Sequence, residues 1–352
     1  MIDCKQKVFK KGEPSVFVIS SPLQLLCARE AICEFAIEDY EIIFLYYPGE
    51  IRNEQVVSMM SYWELNYNKY TAFGGTDNYR KIIFGADHRR YKRAFIGDYF
   101  NRCCHYIALE YLSKGGFIVY LDDGVANIPV LKNIKLKNVY NDNFSIKTKV
   151  TMKLLNAWCV FNNISAHKYF FTMYSDLDSK KICYPNTFKL LKEKLENSSV
   201  DAEDIYLIGT NPHRYCSCYG LTYEEYLKIY KDILKSLKEK YPNSIFYYIP
   251  HGRDETVEMK NICKEYGIEY KRLDEAIELY LVKNNIVPKA VVGTVSSALL
   301  TIKEIMPKVD VKNYYIARKS ALWYKKNHET SLYYQQHGIE YLFIDVDTVL
   351  SK

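Results

Sequence analysis

Short apolar runs rich in Val, Ile, Phe and Tyr alternate with stretches whose apolar residues recur at helical spacing, and the alternation continues along most of the chain. In the first half, strands are predicted at 16–20, 41–47, 93–97 and 117–121. Pro22 breaks the first of these, after which Leu23, Leu26, Cys27, Ala31 and Ile32 mark one face of a helix. Helices are also expected over 55–65 and 101–112, the second stopped by Lys114-Gly115-Gly116. A second series predicts strands at 205–209, 244–249, 290–293, 313–317 and 341–344. Its clearest helix covers 222–239, with Tyr226, Ile229, Ile233 and Leu237 along one stripe. Strands alternating with helices imply parallel sheets covered by helices on both faces.

Residues 130–200 break this rhythm. They hold a lysine-rich stretch, an aromatic segment at 152–161 expected to be helical, and a charged run over 189–197. Asp, Ser, Lys and Asn dominate 176–203, where a linker is expected. That leaves an N-terminal α/β domain at 1–190 and a C-terminal one at 203–352.

Composition adds little to the architecture but narrows the class. A chain of 352 residues with 48% hydrophobic and 26% charged side chains is globular, neither disordered nor fibrous. Its net charge of +6 suits an anionic substrate or an anionic membrane surface, and also many enzymes of neutral ligands. The 34 tyrosines offer flat faces for sugars or bases, although a compositional bias accounts for them better. Ten cysteines are scattered without the paired spacing of a structural zinc site, and no metal is expected. With no signal-peptide pattern and no apolar stretch of membrane-spanning length, the expected location is cytoplasmic, free or at the inner face of the membrane.

The chemistry-bearing residues fall where predicted strands end. Asp122-Asp123-Gly124 follows 117–121. Adjacent carboxylates leaving a buried strand repel each other, which can separate their pKa values and leave one as a base; a solvated turn with Gly124 at positive φ is the other reading. Pro250-His251-Gly252-Arg253 follows 244–249 and offers an imidazole and a guanidinium for a phosphate, or a polar loop cap. Ser296 and Ser297 lie between a strand and a helix, where their hydroxyls can hold a phosphate or simply cap the helix. Ser20, Ser21 and Gln24 end the first strand, and Gly209, Thr210 and Asn211 end its counterpart in the second series.

In their order, these landmarks resemble the bacterial sialyltransferases of glycosyltransferase family 52, the lipooligosaccharide sialyltransferase family. The resemblance rests on Ser20-Ser21-Pro22-Leu23-Gln24-Leu25, on the run from Leu121 through Asp122-Asp123-Gly124 to Ile128, and on Leu207-Ile208-Gly209-Thr210. It continues in Pro250-His251-Gly252-Arg253, the run Ser296 to Thr301, and the final 338–345. It implies a GT-B type α/β fold, two Rossmann-like domains with a cleft between them, and inverting transfer of sialic acid from CMP-sialic acid without a metal or other cofactor. The acceptor would be a terminal sugar such as galactose on a surface glycan. By the same resemblance Asp122 removes the acceptor proton and His251 assists the departing CMP. Gly209, Thr210, Asn211, His251, Gly252, Arg253, Ser296 and Ser297 bind the donor, and Ser20, Ser21, Gln24, Asp123 and Gly124 line the acceptor side. Two departures stand out: Gly252 follows the histidine where related families have proline, and Gly209-Thr210-Asn211-Pro212-His213 lacks the carboxylate some members place there, with His213 as a remote substitute base. The competing readings are a transferase of another CMP-activated nonulosonate or Kdo, and a non-catalytic glycan- or nucleotide-binding protein. Partner expectations are the donor and acceptor, no nucleic acid, a membrane surface and a homodimer.

Overall fold

The structure is a computed structural model. It describes residues 6–350 except 72–89, 100, 133–149, 151, 152, 155, 156, 158, 162, 163, 165–168, 179–181, 197–199, 253, 255, 256, 319, 320, 322 and 323. The chain divides into two compact units, Met1–Leu190 and Leu191–Lys352. The division falls inside a helix, Lys189–Glu196, so the charged run read as part of a linker is regular structure.

The first unit carries seven parallel strands: β1 (Ser15–Ile19), β2 (Tyr40–Tyr46), β3 (Asn68–Thr71), β4 (Tyr91–Ile96), β5 (Leu112–Tyr120), β6 (Tyr169–Thr172) and β7 (Cys183–Pro185). Their order is β3-β2-β1-β4-β5-β6-β7. The second unit carries β8 (Val200–Ile208), β9 (Phe246–Ile249), β10 (Glu269–Tyr270), β11 (Ile286–Gly293), β12 (Asp310–Ala317) and β13 (Glu340–Asp345), in the order β10-β9-β8-β11-β12-β13. Both sheets are doubly wound, and in each the order reverses beside the first strand of the unit: between β1 and β4, and between β8 and β11. Crevices for ligands open outside the carboxyl ends of strands at such reversals.

Continuous apolar strands follow from burial on both faces. Val16, Phe17, Val18 and Ile19 have no solvent exposure, and Phe17 stacks on Phe95 of the adjacent strand with centroids 4.6 Å apart. One buried charged residue breaks the pattern of β4. Arg93 is buried, and its guanidinium donates to Ser15 Oγ and to the carbonyls of Val8, Lys10 and Glu13 while lying over the Phe35 and Phe95 rings. Burial lowers its pKa to about 10. The carbonyls replace the water the cation lost, and so bind residues 8–13 to the sheet.

Two expectations are corrected. Lys114-Gly115-Gly116 does not stop a helix. The helix ends at Tyr111, and these residues form a bulge within β5, with Gly115 at φ +74, between the pairs Tyr91–Leu112 and Arg93–Phe117. The strand expected at 205–209 begins at Val200, so residues 200–204 lie within β8 rather than before it. The aromatic segment at 152–161 lies partly outside the described residues. In the second unit, Tyr223–Lys240 begins with a complete capping box between Thr222 and Glu225, and buries Tyr226, Ile229, Tyr230, Ile233, Leu234 and Leu237. No described helix is long and apolar enough to cross a membrane.

Candidate active site

At the carboxyl end of β1, Ser21 caps the helix Pro22–Glu34, its hydroxyl accepting from Gln24 N. One turn into that helix, Gln24 is buried and points back at the strand end. Its Oε1 accepts from Ser20 N at 2.6 Å and from Ser20 Oγ at 3.2 Å, and its Nε2 donates to Asp123 Oδ1 at 2.6 Å. Gly97, at the end of β4, makes room for this side chain: a Cβ there would lie 2.2 Å from Gln24 Cδ and Oε1. Three strand ends therefore converge on one amide.

The two adjacent carboxylates separate in role. Asp122 has no solvent exposure; Oδ1 accepts from Thr172 Oγ1 (2.5 Å) and Asn127 Nδ2 (3.1 Å), and Oδ2 accepts from the Met173 amide (2.9 Å). Burial pushes its carboxyl up to about 6, and the Thr172, Met173 and Asn127 donors act against that rise. Asp123 is only half-buried and faces Gln24. Gly124, at φ +70, turns the chain into the helix Asn127–Lys132. The two carboxylates thus differ in environment. Asp122 locks the turn to β6, while Asp123 is the member of the pair that meets solvent.

In the second unit, Gly209 follows β8 and donates its amide to the Ile249 carbonyl at 2.8 Å; a Cβ on it would strike Tyr248 Oη at 2.3 Å. Thr210 Oγ1 lies 3.2 Å from Tyr226 Oη, and the Asn211 carbonyl accepts from Tyr215 N at the start of the helix Pro212–Tyr219. His213 is exposed and stacks on Tyr223. After β9, Pro250 is buried and His251 exposed. The next turn is closed by Asp254 N donating to the His251 carbonyl at 2.8 Å, with Arg272 donating to the Asp254 carbonyl and Tyr248 Oη 3.4 Å from its carboxylate. Gly252 is half-buried; Arg253 lies outside the described residues.

After β11 the chain makes an unusual turn. Val295 has φ +49, a conformation that costs a β-branched residue about 1–3 kcal/mol and that surrounding structure must impose. Asn313 imposes it: its Oδ1 accepts from Val295 N at 2.7 Å while its Nδ2 donates to Ser331 Oγ at 3.0 Å. Tyr334 Oη donates to the Ser296 carbonyl at 2.9 Å. Ser296 occupies the N-cap of the helix Ser297–Ile305, yet its side chain makes no capping hydrogen bond. Ser296 and Ser297 are both half-buried. The simple N-cap reading of Ser296 therefore fails, and its hydroxyl is not committed to the helix.

A tyrosine network that the sequence reading missed lies beneath these turns. Thr294, buried after β11, lies 3.1 Å from Tyr230 Oη; Tyr230 and Tyr226 pack at 4.5 Å, and Tyr226 reaches Thr210. Burial raises the pKa values of Tyr226, Tyr230 and Tyr248, keeping them neutral. The Tyr226 and Tyr230 hydroxyls join the ends of β8 and β11 through the helix Tyr223–Lys240. The spacing of Tyr226 and Tyr230 along that helix was the available signal. Among the described residues, no three His, Cys, Asp or Glu side chains are grouped to hold a metal ion.

No protein-family model and no curated protein sequence matches the chain. Among solved structures, it is similar to the GT-B domain of a sialyltransferase from Photobacterium damselae, with a TM-score of 0.52 and 14% identity over 94% of this chain and 100% of that one. The chain has the GT-B fold. An S. aureus MnaA–UDP co-structure is similar at a TM-score of 0.45 and 9% identity, over 91% of this chain and 83% of that one.

Proposed function

We propose that this GT-B protein is an inverting glycosyltransferase that moves sialic acid from CMP-sialic acid to a hydroxyl of a terminal sugar, galactose being the expected one, on a bacterial surface glycan. The observation that carries the reading is the collection of sequence-distant motif residues at strand carboxyl ends within each unit. Ser20, Gln24 and Asp123 gather in the first; Thr210, His251 and Ser296 follow the ends of β8, β9 and β11 in the second.

In this reading Asp123 takes the proton of the acceptor hydroxyl. The acceptor oxygen then bonds to the anomeric carbon as the bond from that carbon to the CMP phosphate oxygen breaks, with its electron pair leaving on the phosphate. Positive charge develops on the sugar and negative charge on the leaving group. Ser296 and Ser297 hydroxyls, the amides at the start of their helix and the exposed His251 suit the second charge, since fixed donors aimed at developing charge lower the barrier. Gln24 suits Asp123 to its task because its amide donates to the ionised form and fixes its direction.

Transfer and hydrolysis assayed with CMP-sialic acid, CMP-Kdo and UDP-sugars test the donor. Turnover with CMP-sialic acid well above the others is expected. Preference for CMP-Kdo would transfer the site to another CMP-activated sugar. No turnover with any donor, with CMP still bound, would reduce the protein to a nucleotide-binding one.

A further inference from the structure

Three consecutive residues of the turn after β11 are each held from a different element. Thr294 Oγ1 lies 3.1 Å from Tyr230 Oη, on the helix Tyr223–Lys240. Val295 N donates to Asn313 Oδ1 at 2.7 Å, on β12. The Ser296 carbonyl accepts from Tyr334 Oη at 2.9 Å, on the helix Tyr324–Gln336. Asn313 is itself anchored to that helix, its Nδ2 donating to Ser331 Oγ at 3.0 Å. Thr294, Tyr230, Asn313, Ser331 and Tyr334 are all at most 1% exposed. The support falls on a strained residue. Val295 stands at φ +49, which glycine would adopt without steric cost and valine keeps only where its surroundings over-determine it.

The clamps take up the Thr294 hydroxyl, the Val295 amide and the Ser296 carbonyl. They leave the Ser296 hydroxyl, which makes no capping bond, and the first amides of the helix Ser297–Ile305, which have no partner within the helix. Those are the donors a phosphate would use. Relaxing Val295 to the usual negative φ would turn the chain by roughly 100° about its N–Cα bond, and everything after it would be redirected. We infer that Asn313 is a positioning residue for the donor: by holding Val295 at positive φ, it aims the Ser296 hydroxyl and the following amides at the donor phosphate. This rests on the CMP-donor reading above and deepens it, because Asn313 touches the turn and not the donor.

CMP affinity of the full chain, measured by calorimetry beside the thermal midpoint of each variant, is the test. Asn313→Ala should weaken CMP binding about tenfold or more, as expected when a hydrogen bond to a charged phosphate is misaligned. Added to the variant carrying Ser296→Ala and Ser297→Ala, it should weaken binding by less than about threefold further, because residues that act through one another are not additive. Val295→Gly in the Asn313→Ala background should recover at least about threefold, since glycine takes positive φ freely. Tyr334→Phe removes only the hydroxyl on the Ser296 carbonyl and should weaken binding about two- to tenfold, which keeps the test if Asn313→Ala misfolds. A merely structural Asn313 would lower the midpoint and leave CMP affinity unchanged. That result overturns the inference, as does a fully additive loss in the triple variant or no recovery with Val295→Gly. In each of those cases wild type still binds CMP. Wild type that does not bind CMP overturns the donor reading, and this inference with it.

Discussion

Gln24 and Asp123, 99 residues apart in the chain, are joined by a 2.6 Å hydrogen bond from the amide Nε2 to Oδ1. The amide cannot flip, because its Oε1 already accepts from the Ser20 backbone N–H and hydroxyl. The glutamine thus transmits the position of the first strand end to a carboxylate at the end of β5. Replacing it tests that coupling. Gln24→Glu sets a second carboxylate against Asp123, which raises the pKa of the base. The acidic limb of the pH–kcat/KM profile should move to higher pH, with kcat down about a hundredfold from lost positioning. An unmoved profile would separate Gln24 from the base.

Asp123→Asn is expected to lower turnover by about a hundred- to ten-thousand-fold, the usual range for a general base, while CMP affinity stays near wild type. Asp122→Asn should retain much more turnover per folded molecule. Steady-state kinetics beside calorimetric CMP binding decides the matter, and the opposite ranking would return the base to Asp122.

Asp122 also carries a pH signature. Its pKa, raised by burial to about 6 against 3.8 ordinarily, means that the folded state binds its proton more tightly than the unfolded state. Its contribution to stability is therefore greatest below about pH 4 and is lost as pH rises through about 6. That shift corresponds to on the order of 3 kcal/mol. Asp122→Asn cannot titrate. Urea melts between those pH values should show wild-type stability falling relative to the variant by roughly that amount as pH rises, whereas a constant difference would contradict a raised carboxyl.

Gly97→Ala would place a methyl group 2.2 Å from the Gln24 carboxamide. Overpacking of this kind costs about 1–3 kcal/mol, and here it also displaces Gln24 from Ser20 and Asp123. Reduced stability together with a fall in kcat is expected. Loss of stability alone would mean that Gln24 does not set the active geometry.

Ser296→Ala with Ser297→Ala should weaken CMP binding, each lost hydrogen bond to a charged phosphate contributing about 1.5–3 kcal/mol. Because Ser296 makes no capping bond, Ser296→Ala alone should leave the thermal midpoint unchanged. An unaltered dissociation constant in the double variant would remove the phosphate assignment. A lowered midpoint in the single one would restore the helix-capping role.

The sequence by itself determined what rests on local patterning. Val16 to Ile19 could only be a buried strand, and the stripe of Tyr226, Ile229, Ile233 and Leu237 marked the helix over 222–239. It also located the ends of the central strands, and with them most of the candidate site, because an apolar run stopping at Ser20, Asp122 or Thr294 is a local event. It did not reveal β3, β6, β7 or β10, which are two to four residues long and depend on strand partners. Nor could it say which of two adjacent aspartates is buried. Asp122 is buried by Thr172 and Met173, about fifty residues away at the end of β6, and Asp123 is held by Gln24 from the first strand end. Likewise, the strained turn at Val295 is set by Asn313 in the next strand, and the hydroxyls beneath it come from a helix far upstream. Those roles belonged to the tertiary structure, because accessibility and hydrogen-bond partners depend on contacts between residues distant in the chain, whereas periodicity reports only on neighbours.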